Sequence, residues 1–380
     1  MAPAAPAPAA AAKPANDPRF AGIAPAMQVY VDNGNISGAV MLVATKDKLL
    51  SLTAVGTTDL ASGRKMETGD LFWIASMTKP MTALGIAMLK DEGKLAFDDP
   101  VEKYLPEFKD AKGPGGAPLT RPITLRDLLT HTSGLGDYSL PDPHWTLEQI
   151  SKDAVTRPLR AQPGVRWGYS TTGMNILGHV VEVVSGTPFA AFMQKRLFDP
   201  LGMTHTTFWV APEDVTRLAT SYLADSAGKL QPTTISYMYG AAVTDKARPP
   251  IGGAGLFSTA EDVAKVYQMM LQGGSFNGKT IIKPETAAEM IRNQTGDLST
   301  RPGMAWGLGF CVVLQSLNGN AVLSPGSFGH GGAYGTDSWA DPKRDVIYVL
   351  MLQRDKIRPN PDDSVMRVTF QQVASDALGK

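Results

Sequence analysis

Apolar residues run continuously near both ends of the chain, in short stretches bounded by turn residues. Residues 37–44 form one such run, a polar turn follows at 46–48, and a second run covers 49–55 before Gly56. Two short apolar runs joined by a tight turn predict a β-hairpin. Near the C-terminus, further runs predict three more strands, at 306–314, 335–340 and 346–352.

The middle of the chain carries a helical pattern instead. Between Met81 and Leu89, apolar residues recur at helical spacing, which predicts a helix over 76–92 that Gly93 closes. A capping-box pattern at Ser258–Glu261 predicts the start of a later helix. The remaining predicted helices lie at 123–129, 147–156, 174–184, 188–197 and 259–271, with a closing helix at 364–378.

Strands at both ends and helices between them indicate an α/β fold of the α+β type. We expect one antiparallel sheet, built from both chain ends and flanked by helices, with a large, mostly helical insertion. The predicted domains are 19–97 with 303–380 for the sheet and 98–302 for the insertion. Pockets favour the boundary between two such layers.

The N-terminal segment 1–18 is rich in alanine and proline. It lacks a basic stretch followed by a Leu/Val-rich stretch, so it does not read as a signal peptide. Such a composition predicts a disordered segment. We interpret it as the front of a mature secreted or periplasmic chain, in preference to a cytoplasmic one.

Composition narrows the classes of partner. The 36 basic residues balance 36 acidic ones, which gives no electrostatic reason to expect nucleic acid or an anionic membrane. The five histidines have no metal-ligand spacing, and we predict no metal and no other cofactor.

The single cysteine, Cys311, excludes a disulfide within the chain and predicts a buried thiol. No run approaches the ~18 apolar residues of a membrane span.

Candidate chemistry begins at Ser76-Met77-Thr78-Lys79, the start of the predicted 76–92 helix. Positions i and i+3 share a helix face, so an amine can draw the proton from the serine hydroxyl. The helix N-terminus favours the negative charge that develops. The same spacing recurs at 62–65 and 226–229, but there it falls in glycine-containing turns with no helix after them. Position therefore selects Ser76 as nucleophile.

Two further motifs complete a candidate site. Tyr169 lies in the segment 167–171 before a predicted helix, and its phenol becomes a base only beside a cation such as Lys79. Glycines at 331 and 332, beside a predicted strand, allow backbone N–H groups to approach a ligand closely, as an oxyanion hole requires.

In the order and spacing of these motifs, nearly the whole chain after Asp17 resembles the serine β-lactamase and penicillin-binding protein superfamily. Its class C-like branch, with family VIII carboxylesterases and D-stereospecific peptidases, fits best. The resemblance implies that Ser76 is the nucleophile, that Lys79 activates it, and that Tyr169 shuttles a proton to the leaving group. It also implies an oxyanion hole from the N–H groups of Ser76 and Ala333. Sequence segments typical of the branch lie at 128–135, 200–203 and 255–262.

Two positions depart from the superfamily pattern. Thr171 replaces the asparagine of the Y-x-N motif and loses its amide. His330, in the segment 330–332, replaces the lysine of the K-T-G motif, so a fixed positive charge is missing there at neutral pH. Substrate contacts are expected from Thr171, His330, Gly331, Gly332, Trp167 and Tyr334.

These departures favour an esterase for small esters of short acyl chains. A D-peptidase, amidase or β-lactamase is the first alternative, and an acyltransferase with an alcohol acceptor is the second. A catalytically idle relative that keeps the fold as a penicillin sensor or scaffold is the alternative from another class. No G-x-S-x-G elbow occurs, so the segment around His131 is interpreted as a structural loop. The sequence leaves the oligomeric state open.

Overall fold

The structure, a computed structural model, describes residues 17–140, 142–298, 300–317, 322–357 and 364–379. Of the predicted disordered segment 1–18, residues 1–16 lie outside the described residues. The backbone N–H of Asp17 donates to the carbonyl oxygen of Leu50 at 3.0 Å. The described chain is therefore attached to the sheet from its first residue.

The structure contains the predicted helices, together with helices at 23–32, 199–201 and 284–290 that no sequence pattern predicted. The helices are α1 Ile23–Asp32, α2 Thr78–Asp91, α3 Leu125–Leu129, α4 Leu147–Val155, α5 Thr171–Ser185, α6 Phe189–Met193, α7 Asp199–Leu201, α8 Ala260–Leu271, α9 Pro284–Met290 and α10 Val365–Ala377. The strands are β1 Gly38–Ala44, β2 Leu49–Asp59, β3 Arg64–Lys65, β4 Phe72–Trp73, β5 Tyr222–Ala224, β6 Leu230–Pro232, β7 Phe257–Ser258, β8 Ser275–Phe276, β9 Lys279–Thr280, β10 Met304–Trp306, β11 Cys311–Val313, β12 Phe328–Gly331, β13 Asp337–Asp341, β14 Val346–Met351 and β15 Arg354–Asp355.

Both ends of the chain contribute to one eight-stranded sheet, in the order β10-β11-β12-β13-β14-β1-β2-β3. The two halves meet where β1 pairs antiparallel with β14, with Leu42 opposite Val349. The pairings along the sheet are antiparallel. This arrangement confirms the prediction of an antiparallel sheet from both chain ends within a mixed α/β fold.

Helices cover both faces of the sheet. Along β1, alternate side chains point to opposite faces, so Met41 packs with α1 and α10 in one core cluster while Leu42 packs with α2, α5 and α8 in another. Helix α2 is buried on nearly all sides, from Thr78 to Leu89, which fits a helix without a charged face before its last turn. Ala75 and Met77, just before α2, are buried as well.

The segment between the two halves of the sheet contains α3 to α9 and only short strands. Within the described residues, no single helix has both the length and the hydropathy for a membrane span. One pair of helices in the described part of the chain, Thr171–Ser185 with Phe189–Leu201, reaches that length and hydropathy only when the two are taken together. The two helices are bent by 79° relative to each other. The exact domain boundaries at 98 and 302 stay a prediction.

Two local predictions were wrong. The run 306–314 is not one strand but the hairpin β10–β11, whose turn contains Gly309 at φ +83° packed against α2. The cap of α8 is Thr259, which accepts from the N–H of Asp262, so the cap lies one residue later than the Ser258 pattern predicts. The segment 328–331, before the predicted strand, forms a strand of its own, β12, which no sequence pattern predicted.

Candidate active site

The predicted nucleophile lies on a tight turn at the edge of the core. Ser76 occupies the 3-10 turn Ala75–Met77, between β4 and α2, and its side chain is half-buried. Ala75 before it has φ +46°, a left-handed conformation that a non-glycine residue keeps only where its surroundings impose it. Pro80 is tolerated because it lies in the first turn of α2, where backbone N–H groups have no partner within the helix.

Lys79 reaches back from α2 to this serine. Its Nζ lies 3.0 Å from Ser76 Oγ, 2.7 Å from the carbonyl oxygen of Gly253 and 3.3 Å from Thr171 Oγ1. The side chain is fully buried. Burial lowers the pKa of Lys79 to about 7, and the carboxylate of Asp137 opposes that shift. A lysine with such a pKa can hold or accept a proton near neutrality.

A glycine pair that sequence reasoning missed holds Lys79 in place. A Cβ at Gly253 would lie 2.4 Å from Thr171 Cγ2, and one at Gly252 would lie 2.6 Å from the carbonyl oxygen of Met174. Only glycine therefore lets this segment approach α5 so closely. The Gly253 N–H donates to Asn175 Oδ1 at 2.9 Å, which helps to hold the residue whose carbonyl oxygen accepts from Lys79. The pair Gly252-Gly253 is visible in the sequence. Its role could not be predicted, because it depends on contacts with residues that are distant in the chain.

Tyr169 enters the site from the segment before α5. The cap of that helix is Ser170, whose hydroxyl accepts from the N–H of Gly173 at 3.1 Å. The Nζ of Lys79 lies 4.6 Å from the centroid of the Tyr169 ring. The amine of Lys79 thus lies over the tyrosine ring, and Tyr169 borders the same cavity as Ser76.

The strand β12 and the turn after it form the opposite wall. His330 and Gly331 lie on β12, and Ala333 lies in the turn. The N–H of Gly332 donates to the Thr336 carbonyl oxygen at 2.6 Å. A Cβ at Gly332 would lie 2.0 Å from Thr336 Oγ1, so the turn requires glycine there. This turn places the backbone of Ala333 on the same cavity as Ser76.

Thr171, at the start of α5, contacts Lys79 directly through its hydroxyl. Its own backbone N–H donates to Asp137 Oδ1, and the next N–H, of Thr172, donates to the same oxygen at 3.1 Å. A carboxylate at a helix N-terminus is favoured by the helix dipole. Asp137, which no sequence motif indicated, therefore places a negative charge near the buried amine.

Ser76 opens into a cavity of about 210 Å³. Its wall includes predicted residues and four that the sequence did not indicate. The predicted members are Ser76, Tyr169, His330, Gly331, Gly332 and Ala333, and the additional ones are Tyr237, Arg301, Trp306 and Cys311. A second, more polar cavity of about 240 Å³ adjoins it at Tyr237 and is lined by Asp137 and Thr171.

Two residues predicted to contact substrate lie behind this wall. Trp167 packs against Trp306, with ring centroids 5.4 Å apart, and against Tyr169. Tyr334 is buried, and its hydroxyl donates to the Thr234 carbonyl oxygen at 3.0 Å. Neither is among the residues that line the cavity. Both instead support residues that do line it. Trp167 packs against Tyr169 and Trp306, and Tyr334 holds the segment that carries Tyr237.

Cys311 also lies elsewhere than its apolar run suggests. The thiol is buried, as predicted, yet the residue borders the catalytic cavity next to Trp306. It reaches this position because β11 pairs with β12, with Cys311 opposite Gly329.

Comparisons with known proteins agree with this fold. The family model described as Beta-lactamase matches residues 23–368. Protein Rv1367c of Mycobacterium tuberculosis is 34% identical over 353 residues, which cover 85% of this chain and 87% of that protein. Esterase EstB of Burkholderia gladioli is 31% identical over 349 residues, covering 83% and 85%. The solved structure of EstCE1, a hydrolase with promiscuous acyltransferase activity, is 26% identical, covers 96% of this chain and 98% of its own, and has a TM-score of 0.78.

Proposed function

The chain belongs to the β-lactamase family and is a hydrolase of that superfamily, and we propose that it is a carboxylesterase that forms an acyl-enzyme on Ser76. The observation that carries the proposal is the 3.0 Å contact between Ser76 Oγ and the buried amine of Lys79. The similarity to esterase EstB supports an ester as substrate. The contacts of Ser76 favour a working enzyme over an idle scaffold.

In the acylation step, Ser76 Oγ attacks the ester carbonyl carbon while neutral Lys79 accepts the hydroxyl proton. The carbonyl oxygen becomes an oxyanion, which the backbone N–H groups of Ser76 and Ala333 stabilise. The carbon–oxygen bond to the alcohol then breaks. Tyr169, beside Lys79, passes the proton to the departing alkoxide, so the products are an alcohol and an acyl-serine.

In the deacylation step, water attacks the carbonyl carbon of the acyl-serine, and the same two backbone N–H groups stabilise the oxyanion. One proton returns to Ser76 Oγ as the ester bond to the enzyme breaks, and the carboxylic acid leaves. An alcohol in place of water gives a new ester, which is the acyltransferase alternative. The acyltransferase activity in the description of EstCE1 supports keeping that alternative.

The cavity determines which esters fit. Its aromatic wall of Tyr169, Tyr237 and Trp306 and its volume of about 210 Å³ suit a short acyl or alkyl group. His330 stands where the superfamily carries a lysine, so the permanent charge of a lysine is absent there. Arg301 borders the same cavity, however, so a guanidinium is within reach of bound substrate. This observation favours, as a second candidate, turnover of substrates that carry a carboxylate, β-lactams among them.

The test is turnover of p-nitrophenyl butyrate and nitrocefin by the wild type, Ser76→Ala and Ser226→Ala. Ser226 is the matched control, because it begins the same S-x-x-K spacing but lies exposed in the turn between β5 and β6. We expect ester turnover in the wild type and in Ser226→Ala and its loss in Ser76→Ala. A fluorophosphonate adduct located on Ser76 by mass spectrometry would establish the nucleophile. Ester turnover that survives in Ser76→Ala would refute the mechanism.

A further inference from the structure

A buried histidine outside the proposed chemistry lies against the catalytic tyrosine. His131 follows α3, is 1% exposed and has φ +59°. Histidine in the left-handed region is uncommon and persists where the surrounding structure imposes it. Its ring centroid is 4.5 Å from that of Tyr169, with the planes tilted by 42°. The loop interpretation placed His131 correctly after a helix but gave it no part in the site.

His131 holds the backbone on both sides of Tyr169. Its carbonyl oxygen accepts from the N–H of Gly168 at 2.8 Å. Its ring Nδ1 accepts from the N–H of Ser170 at 3.2 Å. The only residue between these two anchored amides is Tyr169. A single side chain and its own carbonyl thus fix the segment that carries the phenol.

These contacts also define the protonation state of His131. Because Nδ1 accepts a hydrogen bond, the ring proton must reside on Nε2. Within the described part of the chain, the buried Nε2 has no hydrogen-bond partner, and the ring meets Trp306 edge-on with centroids 4.9 Å apart. Burial and then the charges of Lys79 and His330 lower the pKa of His131 well below its ordinary value. A second proton would remove the acceptor and add a buried cation.

We propose that His131 is a positioning residue, a neutral hydrogen-bond acceptor that holds Tyr169 where it can protonate the leaving alcohol. The proposal rests on the proposed role of Tyr169 in ester cleavage. It excludes proton transfer by His131 itself. The groups that face the imidazole are Lys79, His330 and Tyr169, together with the uncharged rings of Trp167 and Trp306.

The test compares His131→Asn with His131→Leu. Asparagine keeps an acceptor near the Nδ1 position and tolerates a positive φ. Leucine has a similar shape but leaves the Ser170 N–H without a partner. His131→Gln is the variant to use if the leucine variant does not fold, because its acceptor lies one methylene too far along the side chain. Tyr169→Phe is the reference for a site without the phenol.

The readout is the ratio of kcat/KM for two butyrate esters. Ethoxide is a poor leaving group that needs a proton, whereas p-nitrophenolate leaves without one. Misplacement of Tyr169 should therefore lower turnover of ethyl butyrate at least about tenfold more than that of p-nitrophenyl butyrate. We expect this change in His131→Leu and in Tyr169→Phe, and recovery of most of the ratio in His131→Asn. The acid limb of the pH profile should persist in His131→Asn, because His131 carries no catalytic proton.

The results that would contradict these proposals also show which role fails, that of His131 or that of Tyr169. If Tyr169→Phe changes the ratio but His131→Leu lowers both esters equally, the positioning role of His131 is overturned while that of Tyr169 stands. Loss of the acid limb in His131→Asn would overturn the positioning role in favour of proton transfer. If Tyr169→Phe leaves the ratio unchanged, the proposed role of Tyr169 fails, and the role of His131 fails with it.

Discussion

The buried Nζ of Lys79 donates to the carbonyl oxygen of Gly253 at 2.7 Å, across 174 positions of sequence. The same amine lies 3.0 Å from Ser76 Oγ. The contact with the carbonyl oxygen exists because Gly253, without a side chain, lies against Thr171. The geometry of the nucleophile therefore depends on a glycine far from it in the chain.

Gly253→Ala tests that dependence. The new Cβ would lie 2.4 Å from Thr171 Cγ2, so either the carbonyl that binds Lys79 or the start of α5 must shift. We expect a loss of about 1–3 kcal/mol in the free energy of unfolding, as for other overpacked sites, and a fall in kcat/KM of about tenfold or more. Both are measured with p-nitrophenyl butyrate and urea unfolding.

Gly22→Ala is the matched control for this substitution. Gly22 has an ordinary φ of −72°, and its Cβ would make a normal 3.5 Å contact with Val373. It lies at the start of α1 and lines neither of the two cavities. Equal losses in the two variants would contradict the role assigned to Gly253.

Lys79→Met should change how stability depends on pH. The pKa of Lys79 falls from its ordinary 10.5 to about 7 on folding, so the unfolded chain binds more protons between these values. The free energy of unfolding then rises with pH across that window, and the cost of the buried lysine is fully present below about pH 7. Methionine removes this cost. We expect Lys79→Met to be inactive but more stable at pH 7 by a few kcal/mol, with the gain shrinking towards pH 10. A gain independent of pH would contradict the lowered pKa.

How far the sequence predicts this site depends on how local each contact is. Ser76 and Lys79 lie three residues apart on one helical turn, so their spacing alone indicates a pair. The contacts of Gly253 with Lys79 and of Asp137 with Thr171 join positions distant in the chain, which no local pattern encodes. The aromatic residues show the same limit, because no local sequence pattern distinguishes Tyr237, on the cavity, from Tyr334 behind it.

How far the fold could be predicted also depends on how local the contacts are. The sheet could be predicted because its strands are short apolar runs, and β1 and β14 are buried on both faces. The hairpin β10–β11 could not, because its turn residues Gly307–Phe310 continue the apolar run. Their apolar character serves packing against α2, where Gly309 approaches Ala83. A tertiary contact there overrides the local pattern.

Asp137→Asn should shift the acid limb of the activity profile. The carboxylate raises the pKa of Lys79 against the effect of burial, so its removal lowers that pKa further. Asparagine keeps an oxygen acceptor for the N–H groups of Thr171 and Thr172. We expect the acid limb of kcat/KM for p-nitrophenyl butyrate to move to lower pH by up to about 1 unit. Asp110→Asn, at an exposed carboxylate that does not line either cavity, is the control. A shift to higher pH would contradict the electrostatic role of Asp137.

Arg301→Gln should distinguish neutral from anionic substrates. The guanidinium borders the cavity that contains Ser76 and His330, and it can bind a substrate carboxylate through paired hydrogen bonds. Because Arg301 is exposed, solvent screens this interaction. We expect kcat/KM for p-nitrophenyl hemisuccinate to fall about three- to tenfold relative to that for p-nitrophenyl butyrate. Arg301→Lys keeps the charge without the planar fork and should give an intermediate ratio. An unchanged ratio in both variants would mean that Arg301 does not select the substrate, and the neutral-ester assignment would then stand alone.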